Sequence, residues 1–249
     1  MIKITAIIIA KNEEKMIADC IDSVEFCDQI VFIDGGSTDR TKEIAKKMGV
    51  NVYEHQTFGF AQMRNVGLEK AKGEWVFYID ADERVGTELI ESIKKIISTK
   101  DEEYAAYKVK RKNFYFGNHP WPYIEKMERL FKKEKLKKWT GVLHESPKIE
   151  GKIGETSGFL FHYTHRDLSM MVEKTNLWSE EEASLRFDAH HPSMKWWRFP
   201  RVMASAFLVS YIKQKGYKAG TGGLVESIYQ AFSMFITYAK LWELQNEKK

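Results

Sequence analysis

The sequence predicts an α/β fold with a mostly parallel central sheet, a small antiparallel ribbon and C-terminal helices. Over the first hundred residues, apolar runs alternate with segments of helical periodicity, which is the order of a parallel sheet with right-handed crossovers. The pattern then becomes strand-like, and after residue 166 it is helical again.

Four apolar runs are the predicted parallel strands, and the first, ITAIIIA, is expected to be buried on both faces. The predicted strands are residues 4–10, 29–34, 50–55 and 74–80. Helices are predicted from the spacing of apolar residues and from end signals, such as Ser37 or Thr38 as an N-cap and Gly49 as a stop. The predicted helices are residues 13–25, 37–49, 59–73 and 86–98.

Beyond residue 100 the pattern indicates a ribbon and then helices. Residues 105–117 are predicted as an antiparallel strand, and residues 118–165, rich in Trp, Pro, Gly and His, as short strands and loops. The longest uncharged runs near the C-terminus, 202–212 and 227–239, are well short of the roughly 18–20 residues that span a bilayer. A secretory signal is not expected, because charged residues interrupt the apolar N-terminus.

Composition excludes a disordered chain. The 249 residues are 43% hydrophobic and 30% charged, which is typical of a globular protein. The net charge of +4 is mildly basic and does not by itself indicate nucleic acid, so no nucleic-acid partner is expected. Cys20 and Cys27 have no metal-ligand spacing, so we interpret them as packing residues in a reducing, cytoplasmic compartment.

Polar residues follow the predicted strands at their carboxyl ends, where open parallel sheets bind ligands. Strand one ends in AKNEE, strand two in DGGSTD and strand four in DADE. Asp34 precedes two glycines that allow close backbone approach, which favours a ligand-binding role.

Asp80, Asp82 and Glu83 place three carboxylates within four residues. Their mutual repulsion costs roughly a few tenths to a few kcal/mol, depending on exposure, so a cation is expected between them. Mg²⁺ or Mn²⁺ takes one or two carboxylates and completes its coordination with diphosphate oxygens and water. The pattern therefore predicts a metal that binds a diphosphate.

Three segments, TAIIIAKNEE, FIDGGSTDRT and RNVGLEKAKGEWVFYIDADE, resemble family 2 glycosyltransferases with the GT-A fold. Further on, ERLFKK, TGVLHE and LFHYTHR resemble the subgroup that includes lipopolysaccharide-core β-1,4-glucosyltransferases. The resemblance implies a catalytic domain over residues 1–165, with a nucleotide-binding half (1–100) and an acceptor half (101–165). Residues 166–249 are the predicted C-terminal helical region, which is a candidate membrane-docking element.

The resemblance implies a UDP-sugar donor and a role for each residue of the motifs. Asp34 would bind the uracil, and Asp80 would face the ribose or a metal-bound water. Asp82 would bind the metal directly, Asp80 is the second predicted metal ligand, and His162 is a further candidate ligand. The other residues implied to line the nucleotide-sugar site are Ala10, Asn12, Glu14, Arg64, Asn65 and Ala81.

An inverting transferase also needs a general base for the acceptor hydroxyl. The resemblance implies that this base is an Asp or Glu after the metal motif and past a ribbon, and Glu145 fits by position and context. The alternative is that Glu145 only pairs with a lysine. His144 is a further candidate near the metal or the diphosphate. No Gln-x-x-Arg-Trp motif of processive synthases occurs, which favours transfer of one sugar, glucose by subgroup resemblance, to a glycan or lipid-linked acceptor.

Other classes explain less of the sequence. A haloacid-dehalogenase-type phosphotransferase also has Asp-x-Asp, but after an early strand. A sugar-phosphate nucleotidylyltransferase needs a Gly-rich basic loop after strand one, and a dinucleotide dehydrogenase needs Gly-x-Gly-x-x-Gly; both are absent. A non-catalytic, basic membrane-binding module remains an alternative for the C-terminal half, but it leaves the aspartates unexplained.

Residues 189–225 contain no acidic residue, whereas they are rich in basic and aromatic residues. This composition suits a segment in the headgroup layer of an anionic membrane, so we expect peripheral binding at the cytoplasmic face of the inner membrane. Alternatively, the aromatic residues are ordinary core. The residues concerned are Lys195, Arg198, Arg201, Lys213, Lys215, Lys218, Trp196, Trp197, Phe199, Phe207, Tyr211 and Tyr217.

Overall fold

A computed structural model of the chain describes residues 2–56, 59–99, 103–141 and 145–247. The chain divides into two compact units. The first unit comprises Met1–Lys112 and Glu125–His162, and the second comprises Asn113–Ile124 and Tyr163–Lys249.

The predicted alternation of strands and helices is confirmed in the first unit. Its strands are β1 (Ile4–Ala10), β2 (Gln29–Asp34), β3 (Asn51–Glu54), β4 (Trp75–Asp80) and β5 (Glu83–Val85). Its helices are α1 (Ile17–Ser23), α2 (Thr41–Lys47), α3 (Phe60–Lys70) and α4 (Thr87–Ser98). The three-residue strand β5 was not predicted, because so short a segment has no measurable periodicity.

The prediction of short strands and loops over residues 118–165 is wrong in part. Two of the strands there are long, β7 with 14 residues and β10 with 12. Pro120 and Pro122 favour a loop, but both lie outside the segment of β7 that pairs with β4, which is Leu130–Lys132, so neither is needed as a donor in that pairing. The later strands are β6 (Tyr104–Tyr115), β7 (His119–Lys132), β8 (Leu136–Thr140), β9 (Ser146–Ile149) and β10 (Lys152–Tyr163).

One eight-stranded sheet has the order β3-β2-β1-β4-β7-β6-β10-β5, and β8 and β9 form a separate pair. The strands β3, β2, β1 and β4 are parallel, whereas β7 is antiparallel to β4. The expected fold class, a mostly parallel sheet with an antiparallel part, is confirmed.

The core of the first unit lies on both faces of this sheet, since every residue of β1 is buried. Ile8, Phe32 and Phe77 pack in a cluster that includes residues of α1 and α4. Helix α3 packs closely on β1, because a Cβ at Gly67 would lie only 2.4 Å from Cγ2 of Ile7. Close packing of this kind fixes the positions of the other α3 side chains.

The second unit is mainly helical, as predicted for the region after residue 166. Its helices are α5 (Leu168–Asp188), α6 (Arg198–Leu208) and α7 (Gly220–Glu247). Ala183, Met194, Tyr238 and Leu241 form a buried cluster between them. Within the described ranges, no helix has both the length and the apolar character that a membrane crossing requires.

Candidate functional site

Parallel pairing brings two of the predicted aspartates to the same edge of the sheet. Ala10, the last residue of β1, lies opposite Asp34 of β2, and Ile9 lies opposite Asp80 of β4. The two aspartates therefore lie on either side of the carboxyl end of β1, which is the ligand-binding edge of open parallel sheets.

The Asp34 carboxylate uses one oxygen to close its own loop. Its Oδ2 accepts hydrogen bonds from the backbone N–H groups of Gly36 at 3.0 Å and Ser37 at 2.9 Å. Its Oδ1 is buried and accepts no hydrogen bond from any residue that the structure describes. Because an unpaired buried acceptor is costly, Oδ1 is a candidate partner for a ligand N–H group.

Asn12 and Glu14 join the loop after β1 to the loop after β2. The N–H of Asn12 donates to Oγ of Ser37 at 2.9 Å, and its Oδ1 accepts from the N–H of Thr38 at 2.8 Å. Oε2 of Glu14 accepts from the N–H of Arg40 at 3.1 Å. These side chains fix the loop geometry around Asp34.

The two alanines among the predicted site residues contribute backbone carbonyl groups. The carbonyl of Ala10 accepts from the N–H of Gly35 at 2.8 Å. The carbonyl of Ala81 accepts from Nη1 of Arg84 at 2.8 Å. Both side chains are buried, so their role is to shape the loops at the ends of β1 and β4.

Asp80 lies between two arginines. Its Oδ1 accepts from Nη2 of Arg64 at 3.0 Å, and its Oδ2 accepts from Nη2 of Arg129 at 2.7 Å. Burial raises the pKa of the Asp80 carboxyl, but the guanidinium groups of Arg129 and Arg64 outweigh burial and lower that pKa far below its usual range. Asp80 is thus an ionised carboxylate whose two oxygens are both engaged.

Glu83 is fully buried and is neutralised by two arginines. Its Oε1 accepts from Nη2 of Arg129 at 2.8 Å and from Nη1 of Arg111 at 3.1 Å. Its Oε2 accepts from the backbone N–H of Asp80 at 2.9 Å. The cation that the sequence led us to expect between Asp80 and Glu83 is therefore the guanidinium group of Arg129, which contacts both carboxylates.

Arg64 links Asp80 to the predicted base. Nε of Arg64 donates to Oε1 of Glu145 at 3.1 Å. The guanidinium group also lies over the rings of Trp139, at 4.9 Å, and Tyr78, at 5.7 Å. Arg64 is only 3% exposed, and its Nη1 is buried without a partner in the described part of the chain. Among the described residues, the ion pair of Glu145 is with this arginine and not, as the alternative expected, with a lysine.

Asn65, next on α3, binds backbone rather than pointing to an open site. Its Nδ2 donates to the carbonyl of Trp139 at 3.0 Å, and its Oδ1 accepts from the N–H of Trp139 at 2.8 Å. The Asn65 side chain thus satisfies both backbone groups of Trp139, in the way that a neighbouring strand would. Asn65 thereby anchors the β8–β9 pair, whose connection contains Glu145.

Asp82 faces His162 of β10. Oδ2 of Asp82 lies 3.3 Å from Nε2 of His162. Burial lowers the pKa of His162, but the Asp82 carboxylate outweighs burial and raises that pKa. No cluster of three or more His, Cys, Asp or Glu side chains suited to a metal occurs in the ranges 2–56, 59–99, 103–141 and 145–247, and His144 lies outside them.

The connected charges at this site leave an excess of negative charge. The five carboxylates outnumber the three guanidinium groups by two, and a protonated His162 beside Asp82 would lower that excess to one. The carboxylates are Asp80, Asp82, Glu83, Glu125 and Glu145, and the guanidinium groups are those of Arg64, Arg111 and Arg129.

The sequence interpretation did not include Arg111 and Arg129 among the site residues. Both lie on long strands of the antiparallel part, 28 and 46 residues after Glu83. The one sequence feature that pointed to them was the acidic run of Asp80, Asp82 and Glu83, whose charge requires cations from elsewhere in the chain. The sequence does not indicate which of its many lysines and arginines fold back to this edge.

A family model described as "Glycosyl transferase family 2" matches residues 5–151. An uncharacterized glycosyltransferase of Rickettsia typhi is 31% identical, with 98% of this chain and 88% of that protein covered. The lipopolysaccharide core biosynthesis glycosyltransferase LpsC of Rhizobium meliloti is 28% identical, with 96% and 92% covered. Among solved structures, S. aureus TarS 1–349 in complex with UDP-GlcNAc has a TM-score of 0.51 and 14% identity, with 99% of this chain and 92% of that chain covered.

Proposed function

The chain belongs to glycosyl transferase family 2, and from this premise we propose that it transfers one glucose from a UDP-sugar to a glycan or lipid-linked acceptor of the cell envelope. The reaction is a single displacement that inverts the anomeric configuration. The Rhizobium relative, named for lipopolysaccharide core biosynthesis, supports an envelope acceptor.

One observation carries the proposal: a single buried guanidinium group contacts both Asp80 and Glu145. Arg64 lies within 3.0 Å of Asp80 and within 3.1 Å of Glu145. Asp80 belongs to the strand end where the donor is expected, and Glu145 is the candidate base for the acceptor. Their contact with one arginine supports a site in which donor and acceptor groups meet.

For the donor, we assign the uracil N3–H to Oδ1 of Asp34, the buried oxygen that lacks a partner among the described residues. Asn12 and Glu14 would shape the loops around the base. TarS, a protein of similar fold, was crystallised with UDP-GlcNAc. The choice of UDP rests mainly on the sequence resemblance and on Asp34.

Mg²⁺ or Mn²⁺ fits the residues that are present. Asp82 would bind the ion, with His162 as a second ligand, because their facing atoms are only 3.3 Å apart. Asp80 fits less well as a direct ligand, since both of its oxygens already bind arginines. When bound, the cation would stabilise the negative charge of the departing diphosphate.

The proton of the acceptor hydroxyl would be taken by Glu145. As that proton leaves, the acceptor oxygen bonds to the anomeric carbon, and the bond from that carbon to the UDP oxygen breaks. The Arg64 guanidinium orients Glu145 before the acceptor arrives, and it lies close enough to Asp80 to contribute to binding of the diphosphate.

We also propose that the second unit docks on an anionic membrane. Trp196 is 82% exposed, and Leu208 and Ile212 are 55% and 54% exposed. The guanidinium groups of Arg198 and Arg201 lie within about 6 Å of the Trp197 ring. Cations beside exposed aromatic and aliphatic side chains are typical of surfaces that lie in the headgroup layer.

Some of the aromatic residues in this segment are core, as the alternative interpretation expected. Phe199 packs against the buried cluster of the second unit and lies 5.9 Å from the ring of Phe235. The exposed tryptophan and the cations are therefore the part of the segment that a membrane would contact.

The proposed donor is tested by incubating the protein with a panel of UDP-sugars and Mn²⁺ and measuring UDP release. UDP-glucose should be hydrolysed fastest, and UDP should raise the melting temperature. The Asp34→Asn variant should lose the UDP-induced shift, whereas Asp22→Asn, which changes an exposed aspartate of α1, should keep it. No UDP release from any sugar, together with no stabilisation by UDP, would contradict the proposal.

A further inference from the structure

We propose that Arg129 is a positioning residue of the transfer reaction, because it fixes the orientation of the Asp80 carboxylate. This inference rests on the proposed function, in which Asp80 faces the donor ribose or a metal-bound water. Arg129 lies in the ERLFKK segment, outside the strand-end motifs that suggested the donor site.

Arg129 makes its two carboxylate contacts with a single nitrogen. Nη2 lies 2.7 Å from Oδ2 of Asp80 and 2.8 Å from Oε1 of Glu83. The residue is 4% exposed, and burial alone would lower the pKa of its guanidinium. The Asp80 and Glu83 charges outweigh burial and raise that pKa, so Arg129 is a buried, permanent cation.

Arg129 is the central member of a row of seven charged residues of alternating sign. Each residue contacts the next, at distances from 2.5 to 3.1 Å. The order is Glu125, Arg111, Glu83, Arg129, Asp80, Arg64 and Glu145. The row connects the antiparallel part of the sheet to the proposed base.

The position of Asp80 depends on both of its arginines. Arg64, which lies on helix α3, binds Oδ1 of Asp80. Arg129, which lies on strand β7, binds Oδ2 of Asp80. Without Arg129, the carboxylate can rotate about its side-chain bonds towards Arg64 and compete there with Glu145. A change at residue 129 would therefore displace the donor-facing carboxylate and disturb the base, although Arg129 needs to touch neither substrate.

Because Arg129 contacts both carboxylates through one nitrogen, the substitution Arg129→Lys tests whether a single positive charge is enough to orient Asp80. A lysine ammonium is a point charge that can bind two carboxylates at once, whereas it cannot reproduce a stacked or two-nitrogen contact. Arg129→Lys should therefore preserve the orientation of Asp80 in large part. Arg129→Met keeps the bulk of the side chain and removes the charge.

The experiment compares wild type, Arg129→Met and Arg129→Lys by steady-state transfer at a temperature at which all three are folded. Arg129→Met should lose about 10²-fold in kcat, the scale expected for a displacement of about 1 Å, while Arg129→Lys recovers most of that loss. Arg186→Met, which breaks the ion pair of Arg186 with Glu182 in the second unit, is the control and should keep the wild-type kcat.

Crystal structures of the same variants give a readout that does not depend on activity. We expect the Asp80 carboxylate to turn away from its wild-type position in Arg129→Met and to keep that position in Arg129→Lys. An unmoved Asp80 in Arg129→Met overturns the inference, as does a kcat of Arg129→Met equal to that of the wild type. Absence of sugar transfer by the wild type, with Asp80 displaced in Arg129→Met, would instead contradict the proposed function alone.

Discussion

Nε of Arg64 donates a hydrogen bond to Oε1 of Glu145 at 3.1 Å, across 81 positions of sequence. Arg64 belongs to a helix that packs on the parallel sheet, and Glu145 to the connection between β8 and β9. The pair therefore joins the nucleotide-binding half expected from the sequence to the half expected to receive the acceptor.

Replacing Arg64 by lysine should reduce transfer strongly. The guanidinium group lies over the rings of Trp139 and Tyr78, and it contacts Glu145 through Nε and Asp80 through Nη2. An ammonium group cannot reproduce this stacked, two-nitrogen contact. We expect kcat to fall by roughly 10²-fold, more than in Arg129→Lys. Arg40→Lys is the matched control, because the Arg40 side chain is 67% exposed. Equal activity of the two lysine variants would refute the role given to Arg64.

Replacing Asn65 by alanine should destabilise the protein and slow transfer. The substitution removes two hydrogen bonds to the backbone of Trp139, each worth about 1 kcal/mol net. Urea denaturation should therefore show a loss of about 1–3 kcal/mol. Asn51→Ala, at an exposed position of β3, should change stability by less than about 0.5 kcal/mol. Unchanged stability of Asn65→Ala would show that β8 is fixed by other contacts.

Removing the Asp82 carboxylate should abolish the effect of metal on UDP binding. With Asp82→Ala, Mn²⁺ should no longer increase the UDP-induced rise in melting temperature, and transfer should be lost, because the proposed metal ligand is gone. The fold should persist, since Asp82 lies at the sheet edge. Asp22→Ala serves as the control. Full activity of Asp82→Ala, or of the wild type in EDTA, argues against a metal-assisted reaction.

Local sequence signals were sufficient for the parallel half of the fold. The run ITAIIIA is wholly buried in β1, and the helices that follow the strands lie within their predicted segments to within a few residues. These elements are specified mainly by apolar periodicity, and Gly49 follows the end of α2 as predicted. The predicted N-cap at Ser37 or Thr38 is wrong, because α2 begins at Thr41 and the residue before it is Arg40. The carboxyl edge, with Asp34 and Asp80 on either side of β1, then follows from parallel pairing alone.

The arginines of the site could not be predicted in the same way. Arg111 and Arg129 reach Glu83 through strands whose register depends on long-range pairing, and register is not encoded in a short window of sequence. The length of β7 was missed for a related reason, since prolines are excluded from a strand only where a partner needs their N–H. Asn65 was expected to line the nucleotide site, and its bonds to Trp139 became evident only from the fold.

Neutralising three cations of the second unit should weaken binding to anionic vesicles. Lys195, Arg198 and Arg201 changed together to Gln should lower the vesicle-bound fraction, because each cation contributes about 1 kcal/mol near an anionic surface. Co-sedimentation at low salt should show roughly a 10²-fold weaker association, and high salt should release the wild type.

The control for this triple variant removes the same charge from exposed lysines of the first unit. Lys46, Lys94 and Lys95 changed to Gln should leave vesicle binding unchanged. Equal pelleting of the two triple variants, or no pelleting of the wild type on anionic vesicles, would place the acceptor in solution or the docking surface elsewhere.

The transfer rate of Glu145→Gln, measured beside its affinity for UDP and Mn²⁺, tests the central claim most directly. The substitution keeps the shape of the side chain and an oxygen that can face Arg64, but it removes the group that accepts the proton. We predict UDP affinity close to that of the wild type and a transfer rate lower by about 10²–10⁴-fold, as expected for loss of a general base. A transfer rate near that of the wild type, with UDP binding intact, would contradict the assignment of Glu145 and the single-displacement mechanism built on it.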